Sequence, residues 1–398
     1  MKYQFSDNIP ESNVDPVGNI LKVAGDPKVI SFAGGLPAPE LFPVEDLKKV
    51  TNEVYDESGR QALQYSIAAG FPALREQIAK RMNRSGIKCD IDNIMITTGS
   101  QQSIDLTAKL FVNPGDTVIV EQPTYLCALD VFRSYGAHMV GVPMDDDGMK
   151  MDALEQAVKD NPNTKFIYTI PSFQNPTGRT MPADRRQKMI EIADKYNVMI
   201  LEDDPYGAIR FAGKDVSPVK TYEHDERVIY MSTFSKILAP GLRIGWIVAE
   251  KTLVKKFTLM KQTVDVHSDN LTQHIIAKYM SDYNIDDHIA KIRDVYRRRE
   301  GIMMDAIKKY FPKDAHCSHP EGGLFIWVEV PGVDTQTLFN TCTDHNVAFV
   351  PGEPFYADKV IPGTFRLNYS NMQDDKIVTG IERLGNAIKE AIGQQVKV

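Results

Sequence analysis

The stretch S-T-F-S-K-I-L-A-P-G-L-R-I-G-W, residues 232–246, decides how this chain is interpreted. It sets Lys236 between V-I-Y-M-S and R-I-G-W-I-V-A, two apolar and β-branched runs that are typical of interior strands in a parallel sheet. A charged lysine beside buried strands is costly unless it has a partner. Lys236 is therefore either a solvated loop residue or a reactive one.

Short β-rich runs alternate with helical patterns on both sides of this stretch, from about residue 93 to residue 250. The seven runs are N-I-M-I-T-T-G, T-V-I-V-E-Q-P, H-M-V-G-V-P, K-F-I-Y-T-I-P, V-M-I-L-E-D-D, V-I-Y-M-S-T and R-I-G-W-I-V-A. The acidic run D-D-D-G, residues 145–148, predicts a strand-to-helix turn. This alternation predicts an α/β domain with a mixed, mostly parallel seven-stranded sheet, and such sheets bind ligands at the carboxyl ends of their strands.

The rest of the chain predicts a second, smaller domain, because 398 residues are too many for one compact core. Long helices follow residue 250, and a strand-rich part then contains G-G-L-F-I-W-V-E-V, V-A-F-V-P-G and T-F-R-L-N-Y-S. We expect residues 44–285 to form the large domain and residues 286–398 a small α+β domain. Residues 1–43 are expected to be an N-terminal segment that packs with the small domain.

Composition excludes several classes of partner. The chain has 46 basic and 53 acidic residues, a formal net charge of -7 and no basic block. This balance argues against nucleic acid and anionic membranes as its main binding partners. The start of the chain lacks the apolar core of a signal peptide, so a cytoplasmic protein is predicted. Neither a metal site nor a disulfide framework is predicted, because the cysteines lie far apart without a C-x-x-C motif: Cys89, Cys127, Cys317 and Cys342.

Polar residues follow the predicted strands and should meet at one edge of the sheet. The first strand ends in T-T-G-S-Q-Q-S, where Ser100 and Gln101 open a helix. Free N–H groups at a helix start favour a phosphate, although a simple helix cap is the alternative. After the second strand, the ring of Tyr125 either covers a planar ligand or packs within its loop.

The next two strand ends add an amide, a carboxylate and a phenol. Asn175 follows the fourth strand in I-P-S-F-Q-N-P-T-G, and the fifth strand runs into L-E-D-D-P-Y-G. Asp203 or Asp204 either caps a helix or has a cationic partner, as a carboxylate at the end of a buried strand usually does. Tyr206 is close enough in sequence to share the same ligand.

The sixth strand leads to Lys236 and, seven residues later, to Arg243. A lysine amine attacks carbonyl groups when desolvation or neighbouring cations lower its pKa, and Arg243 is such a cation and also suits phosphate. The strand ends therefore offer a phosphate cup, an aromatic cover, a buried acid and a lysine nucleophile. Pyridoxal 5'-phosphate requires this set, with the lysine forming a Schiff base and the acid keeping the pyridine nitrogen protonated.

The sequence resembles the fold type I, class I/II pyridoxal-phosphate-dependent aminotransferases of the aspartate aminotransferase superfamily, over essentially the whole chain. The motifs N-P-T-G, D-D-P-Y and T-F-S-K-I-L-A-P-G-L-R carry the likeness. F-A-G-G-L-P-A-P-E-L-F-P, L-Q-Y-S and T-G-S-Q-Q are most similar to the 2-aminoadipate, kynurenine and aromatic amino acid subgroup. The resemblance implies an aspartate aminotransferase-like fold and ping-pong transfer of an amino group from an L-amino acid to 2-oxoglutarate.

The resemblance also implies a role for each site residue. Lys236 would form the Schiff base and move the substrate α-proton, Asp203 would pair with the pyridine nitrogen, and Tyr206 would hold the ring oxygen. The implied cofactor-binding residues are Ser100, Gln101, Tyr125, Asn175, Asp203, Tyr206, Ser235, Lys236, Arg243 and Tyr65. Of these, Tyr65 would reach in from the neighbouring subunit of a homodimer. The implied substrate-binding residues are Gly35, Asn175, Phe325 and Arg366.

Substrate preference is predicted from two further positions and one departure. Arg366 would clamp the α-carboxylate, since an arginine in an apolar strand needs an anion. Phe325 either lines the side-chain pocket or packs in the core. Some aminoadipate-specific relatives carry an arginine where this chain has Gly18, and Lys22 is a turn away, so we expect aromatic or broad apolar substrates. The polar run H-S-D-N, residues 267–270, is a candidate for holding 2-oxoglutarate.

Several alternatives stay open at this point. On the same scaffold they are a 2-aminoadipate or branched-chain aminotransferase and a carbon-sulfur β-lyase, with decarboxylation and racemisation also conceivable. A transcription regulator that fuses such a domain to a DNA-binding module is a different class, and the position of G-G-L-P at residues 34–37 and the net charge of -7 argue against it. A homologue that has lost its cofactor is disfavoured because each cofactor-contacting position holds a competent residue.

Overall fold

The computed structural model describes residues 3–6 and 28–395. Its strands are β1 (Ile30–Ser31), β2 (Ile94–Thr97), β3 (Thr117–Gln122), β4 (His138–Asp145), β5 (Gly148–Met149), β6 (Thr164–Thr169), β7 (Met199–Asp203), β8 (Val228–Thr233), β9 (Gly245–Val248), β10 (His316–Cys317), β11 (Phe325–Glu329), β12 (Val347–Ala348), β13 (Val350–Pro351) and β14 (Thr364–Asn368). The α-helices of the described residues are α1 (Val44–Ala62), α2 (Pro72–Arg84), α3 (Ser100–Phe111), α4 (Leu126–Ser134), α5 (Met151–Asp160), α6 (Ala183–Tyr196), α7 (Lys251–Gln262), α8 (Asn270–Asp282), α9 (Ile285–Tyr310), α10 (Thr335–Asp344) and α11 (Asp374–Gln395).

The large sheet has the order β2-β9-β8-β7-β6-β3-β4-β5. Strands β8, β7, β6, β3 and β4 run parallel to one another, so the predicted mixed α/β sheet is confirmed. Strand β9 differs from the expectation of a parallel interior strand, because it is antiparallel to both of its neighbours. Both arrangements bury an apolar strand on two faces, which is why the apolar run alone did not distinguish them.

The sheet has eight strands rather than the predicted seven. The additional strand, β5, forms a hairpin with the end of β4, and Asp145 pairs with Gly148. The Asp145 side chain accepts a hydrogen bond from the backbone N–H of Asp147, and Gly148 has φ +85°. This side-chain turn reverses the chain before α5 begins, so residues 145–148 form a hairpin and not a direct strand-to-helix turn.

Apolar side chains cover both faces of the large sheet and make it a rigid platform. On one face, residues of β3, β6 and β7 such as Ile167 pack against α5 and α6. The opposite face is covered by a larger cluster that includes residues of α2, α3 and α7. Helix α2 begins at Pro72 and ends just before Gly86, whose φ is +88°, which are the usual positions for proline and glycine at the two ends of a helix.

The C-terminal part contains a four-stranded antiparallel sheet in the order β10-β11-β14-β13, and α9 packs along α11. The N-terminal residues from 28 onward join this part, because β1 pairs in parallel with β12. The backbone N–H of Phe32 donates to the Ala348 carbonyl, and that of Asn368 donates to the Phe32 carbonyl. Residues 30–35 are thus attached to the small sheet at one end and lead toward the large sheet at the other.

Within residues 3–6 and 28–395, no helix is both long and apolar enough to cross a bilayer. The same residues contain no group of three or more His, Cys, Asp or Glu side chains arranged to hold a metal ion. Cys342 is buried and the other three cysteines are half-buried, and all four are free thiols.

Candidate active site

A cavity of about 260 Å³ lies at the carboxyl ends of the parallel strands. Because parallel strands end at the same edge of a sheet, the loops after β3, β6, β7 and β8 all open into it. The cavity is lined by all of the predicted site residues except Tyr65: Gly35, Ser100, Gln101, Tyr125, Asn175, Asp203, Tyr206, Ser235, Lys236, Arg243, Phe325 and Arg366.

Lys236 lies in the tight turn that follows β8, with its ammonium group inside the cavity. Its Nζ donates a hydrogen bond of 2.7 Å to the carbonyl of Gly35. Burial, and then the positive charges of Arg366 and Arg243, lower the pKa of Lys236 to about 8. An amine with this pKa is partly neutral near pH 7 and can act as a nucleophile, so Lys236 is suited to reaction rather than to solvation.

Asp203 ends β7 and is only 3% exposed. Its Oδ2 accepts a hydrogen bond of 2.9 Å from the Tyr168 hydroxyl, while its Oδ1 has no partner. Burial first, and the neighbouring Asp204 second, raise the pKa of Asp203 to about 7. A buried carboxylate oxygen without a partner suits the protonated ring nitrogen of pyridoxal phosphate. Asp204 is occupied elsewhere, since it accepts hydrogen bonds from Tyr230 and Gly207.

Tyr168 is a member of this site that the sequence pattern did not single out. It lies in the fully buried part of β6, beside Leu201 of β7, and its hydroxyl holds the Asp203 side chain in place. A buried tyrosine usually has a hydrogen-bond partner for its hydroxyl. A tyrosine within an otherwise apolar interior strand is therefore the signal that could have revealed it.

The start of α3 and Arg243 form a cup with the properties of a phosphate site. A Cβ atom at Gly99, whose φ is +77°, would lie 2.4 Å from the Arg243 guanidinium, so only glycine allows this approach. A Cβ at Gly245 would lie 2.9 Å from the backbone nitrogen of Ser100. Arg243 is exposed, and the hydrogen bonds that its guanidinium donates are long: 3.4 Å to the Ser235 hydroxyl, 3.3 Å to the Pro240 carbonyl and 3.4 Å to the Thr98 carbonyl. Helix-start N–H groups and a weakly bonded guanidinium fit a phosphate group.

Tyr125 and Gln101 connect this cup to the next helix. Tyr125 immediately precedes α4, and its hydroxyl donates to Gln101 Oε1 at 3.3 Å. The Gln101 amide in turn donates to the Cys127 carbonyl at 3.1 Å. The Tyr125 ring is thereby fixed at the cavity wall, where it can cover a planar ring.

Arg366 lies in the middle of β14 and is 5% exposed. Its Nη1 donates to Asn175 Oδ1 and its Nη2 to the Ala33 carbonyl, both at 2.8 Å. The guanidinium carbon lies 4.2 Å from the ring centre of Phe325 and 5.0 Å from that of Phe355. Burial lowers the pKa of Arg366 to about 10. Neutral acceptors hold this guanidinium on two sides, and no carboxylate in the described part of the chain pairs with it, so it suits an incoming carboxylate.

Two aromatic rings complete the wall beside Arg366. Tyr206 is 4% exposed and its ring meets that of Phe325 edge-on, with 5.8 Å between the ring centres. Burial raises the pKa of Tyr206, which keeps its hydroxyl protonated and able to donate. Phe325 lines the cavity and is also buried, so both of its predicted roles are compatible with its position.

Tyr65 is the one predicted site residue that the fold does not bring to the cavity of the same chain. Its side chain is 82% exposed, and its ring lies edge-on to His267 with 5.8 Å between the ring centres. Its predicted role in the phosphate site therefore needs a second subunit.

The run H-S-D-N, residues 267–270, does not line the cavity of its own chain. Ser268 is hydrogen-bonded to Thr98 at 2.9 Å, and the Asn270 amide donates to the Gln61 carbonyl at 3.0 Å. These side chains support neighbouring turns of their own chain, so their predicted contact with 2-oxoglutarate stays a prediction that would need the cavity of a second subunit. Gly18 and Lys22, used above to predict substrate preference, lie outside the described residues.

Comparisons with known proteins agree with this geometry. The family "Aminotransferase class I and II" matches residues 27–384. Aromatic-amino-acid aminotransferase 1 of Thermococcus litoralis is 43% identical, with 97% of this chain and 94% of the relative covered. The 2-aminoadipate transaminase of Thermus thermophilus is 36% identical, with 94% and 93% covered. A Pyrococcus horikoshii kynurenine aminotransferase structure, solved with PMP, KYN and KYA, is 41% identical at a TM-score of 0.93, with 97% of each chain covered.

The family match spans most of the chain, and the aspartate aminotransferase-like fold predicted from the sequence is confirmed. The free Asp203 oxygen, the glycine-lined phosphate cup and the lysine nucleophile are the features that this family's cofactor requires. The chain therefore belongs to the class I and II aminotransferase family and is a pyridoxal-phosphate-dependent aminotransferase.

Proposed function

We propose that this aminotransferase takes the amino group from an L-amino acid with an aromatic or broad apolar side chain and passes it to 2-oxoglutarate by a ping-pong mechanism. The observation that carries the proposal is the charge of the cavity wall. Among the described residues that line the cavity, the cations are Lys236, Arg243 and Arg366. The first two are assigned to the cofactor, which leaves one guanidinium for one substrate carboxylate.

The surroundings of Arg366 support an apolar side chain on the substrate. The rings of Phe325 and Phe355 flank the guanidinium, and Tyr206 closes the same wall. A second carboxylate placed among these rings would be desolvated without a partner. The names of the Thermococcus and Pyrococcus relatives agree with aromatic substrates. The distal carboxylate of 2-oxoglutarate would then need a cation from a second subunit or from outside the described residues.

Pyridoxal phosphate supplies an aldehyde that takes up the amino group and a ring that accepts electrons from the substrate's α-carbon. We assign its phosphate to Ser100, Gln101, Ser235 and Arg243, with the helix-start N–H groups of α3. Asp203 would hold the protonated ring nitrogen through its free Oδ1, and the Tyr125 ring would cover one face. Asn175 and Tyr206 would donate to the ring oxygen.

Lys236 then has two tasks. Its amine, with a pKa of about 8, would hold the cofactor through Nζ. The same Nζ lies in the cavity, where it would act as the base that accepts the substrate's α-proton and as the acid that gives the proton back. Arg366 holds the substrate carboxylate during this transfer, and that contact fixes which α-carbon bond faces the lysine.

Transfer from 2-aminoadipate is a second candidate, favoured by the 36% identity to the Thermus enzyme of that name. It would require a cation for the side-chain carboxylate that is absent from the described cavity wall. Preference between the two substrate classes therefore tests whether a cation from beyond the described cavity wall also accepts the side-chain carboxylate of an amino donor.

The test is the visible absorption spectrum of the holoenzyme while single amino acids are added without an oxo acid. We expect phenylalanine, tyrosine or kynurenine to convert the cofactor to its amine form, and 2-oxoglutarate to restore the original band. The matched variant Arg366→Lys keeps the charge and loses the two-pronged contact, so it should need roughly ten- to hundredfold more amino acid for the same conversion.

The other outcomes each exclude part of the proposal. Strong conversion by 2-aminoadipate with weak conversion by aromatic amino acids would replace the substrate class. Release of pyruvate and ammonia from cystathionine, with no conversion by any amino acid, would replace transamination by carbon-sulfur lysis.

We also propose a homodimer in which Tyr65 of one chain completes the phosphate site of the other. Exposed apolar side chains in the two segments that contain Tyr65 and its ring neighbour His267 support this arrangement: Tyr55, Leu63, Ile67, Val264 and Val266. The proposed division into residues 1–43, 44–285 and 286–398 is supported by the pairing of β1 with β12 and by the packing of α9 along α11.

A further inference from the structure

We propose that the ion pair between the buried Lys261 and the half-buried Asp265 is a positioning unit that holds the phosphate-binding turn, residues 98–102, in its binding conformation. The inference rests on the proposed placement of the cofactor phosphate at this turn. Neither Lys261 nor Asp265 lines the cavity, so both act through other residues.

Lys261 lies in the last turn of α7, and its side chain is fully buried. Its Nζ donates to Asp265 Oδ1 and Oδ2 at 2.8 and 2.7 Å, and to Gln102 Oε1 at 2.8 Å. An ammonium group has three protons, and all three have acceptors here. The charge is therefore completely engaged by one carboxylate and one amide.

Gln102, in the first turn of α3, is held at both ends of its amide. Its Oε1 accepts from Lys261, and its Nε2 donates to Asp265 Oδ2 at 2.7 Å. This fixes which end of the amide faces the turn. The same Oε1 accepts the backbone N–H of Thr98 at 2.8 Å, so the ion pair sets the position of the residue that opens the turn.

Thr98 is also held through its side chain, and its backbone connects the ion pair to the phosphate cup. Its hydroxyl bonds to Asp265 Oδ2 at 3.1 Å, and its carbonyl accepts from Arg243 Nη2 at 3.4 Å. Gly99 follows with φ +77°, and the free amides of Ser100 and Gln101 come next. A shift of Thr98 would move the guanidinium and the helix start relative to each other.

A buried ion pair is not by itself a source of net stability, because desolvation offsets the attraction. Apolar side chains would fill the same space between α3 and α7 without that desolvation. The pair instead supplies directional hydrogen bonds, and these all end on residues 98 and 102. Orientation of the turn is the role that these bonds can perform and apolar packing cannot.

The test compares two ligands on the full-length protein stripped of cofactor: pyridoxal phosphate, and pyridoxal, which lacks the phosphate. Asp265→Asn and Thr98→Val should each weaken pyridoxal phosphate binding about tenfold or more, as expected for loss of a charge-assisted hydrogen bond. Pyridoxal affinity should not change. Thr98→Ser keeps the hydroxyl and should restore the affinity for pyridoxal phosphate.

Asp265→Asn leaves a buried ammonium without its counter-ion, so the double variant Lys261→Met with Asp265→Leu provides a second test with no buried charge. We expect it to fold and to show the same phosphate-specific loss. Thr263→Val is the matched control, because it removes an exposed hydrogen bond to Lys109 in the same segment. It should bind both ligands as the unmodified chain does.

Two outcomes would overturn the inference alone: unchanged pyridoxal phosphate affinity in these variants, or equal weakening for both ligands. A third outcome tests the assignment on which the inference rests, the placement of the cofactor phosphate at this turn. If the unmodified protein bound pyridoxal as tightly as pyridoxal phosphate, the phosphate site itself would be misplaced, and this inference would fail with it.

Discussion

The Lys236 amine is close enough to two other positively charged side chains for them to affect its pKa. Two guanidinium groups, those of Arg366 and Arg243, contribute to the low pKa of its amine after burial, and Asp203 opposes them. The fold thereby holds positive charges that repel one another close together in the cavity. An anionic cofactor and a substrate carboxylate would reduce this repulsion. Reactivity here is a property of the surroundings and not of the lysine alone.

The first prediction concerns pH. The folded-state pKa of Lys236 is lowered from 10.5 to about 8, so the neutral amine increases as pH rises through 8. The rate of pyridoxal phosphate attachment to the stripped protein, followed by absorbance, should therefore rise with a midpoint near pH 8. Arg366→Gln removes one cation and should move that midpoint upward, while Arg298→Gln, on the exposed side of α9, should not. A midpoint at or above pH 10 in the unmodified chain would contradict the prediction.

The second prediction distinguishes the roles of two adjacent carboxylates, Asp203 and Asp204. Asp203→Asn keeps the hydrogen bond from Tyr168 but removes the charge that would hold the protonated ring nitrogen. We expect kcat to fall roughly a hundred- to a thousandfold, the usual effect of removing one preorganised electrostatic contact. The control is Asp204→Asn, since that side chain bonds to Tyr230 outside the cavity. Similar losses of kcat in the two variants would contradict the distinction.

At the scale of elements, the site depends on how closely β9 approaches the start of α3. A Cβ at Gly245 would lie 2.8 Å from both the Gly99 carbonyl carbon and the Ser232 oxygen. These are backbone atoms of two different elements, which cannot move independently of the sheet. The phosphate cup therefore requires a glycine in β9 itself.

The third prediction follows from this contact. Gly245→Ala should push β9 away from α3, and overpacking of this kind costs about 1–3 kcal/mol. Pyridoxal phosphate affinity should fall roughly ten- to hundredfold, as measured by equilibrium titration of the stripped protein. Gly241→Ala is the matched control, because nothing lies within 4 Å of a Cβ there. Equal affinities for the two variants would show that the sheet accommodates the methyl group.

Much of the sheet was predictable from the sequence, because each of its longer strands is an apolar run of ordinary length bounded by turn residues. Strand β5 was not, since its two residues are too short to show any alternation. The direction of β9 could not be predicted from the sequence, because an interior strand is apolar whether it runs parallel or antiparallel to its neighbours. At the site, residues just after strands could be predicted, whereas Tyr168 within a strand and the Lys261–Asp265 pair on a different element could not.

At the scale of the whole molecule, the exposed position of Tyr65 makes the proposed dimer testable. If each cavity uses Tyr65 from the other chain, mixed dimers of a Lys236→Ala chain and a Tyr65→Ala chain contain one cavity with both residues intact. Mixing the two inactive or weakened variants after partial unfolding should therefore restore activity, up to about a quarter of the unmodified level for random pairing of equal amounts.

The necessary control places both substitutions in one chain and mixes it with the unmodified chain. The mixed dimer then has no intact cavity, because the remaining Lys236 faces a substituted Tyr65. With a shared site, exchange should lower the activity of this second mixture from about a half to about a quarter of the unmodified level, because only the unmodified homodimers remain active. If each cavity used the Tyr65 of its own chain, the second mixture would stay near about a half and the first would gain nothing. A monomer in sedimentation experiments at micromolar concentration would exclude a shared site.

The proposed carboxylate clamp has a further consequence for how the protein is made. It joins Ala33, Asn175 and Arg366, which come from the early, middle and late parts of the chain. On the ribosome, Asp203 and Lys236 emerge well before β14, and β1 cannot pair until its partner β12 has emerged. A nascent chain thus contains Lys236 before it can form the proposed clamp, and the clamp becomes possible only after β14 has emerged.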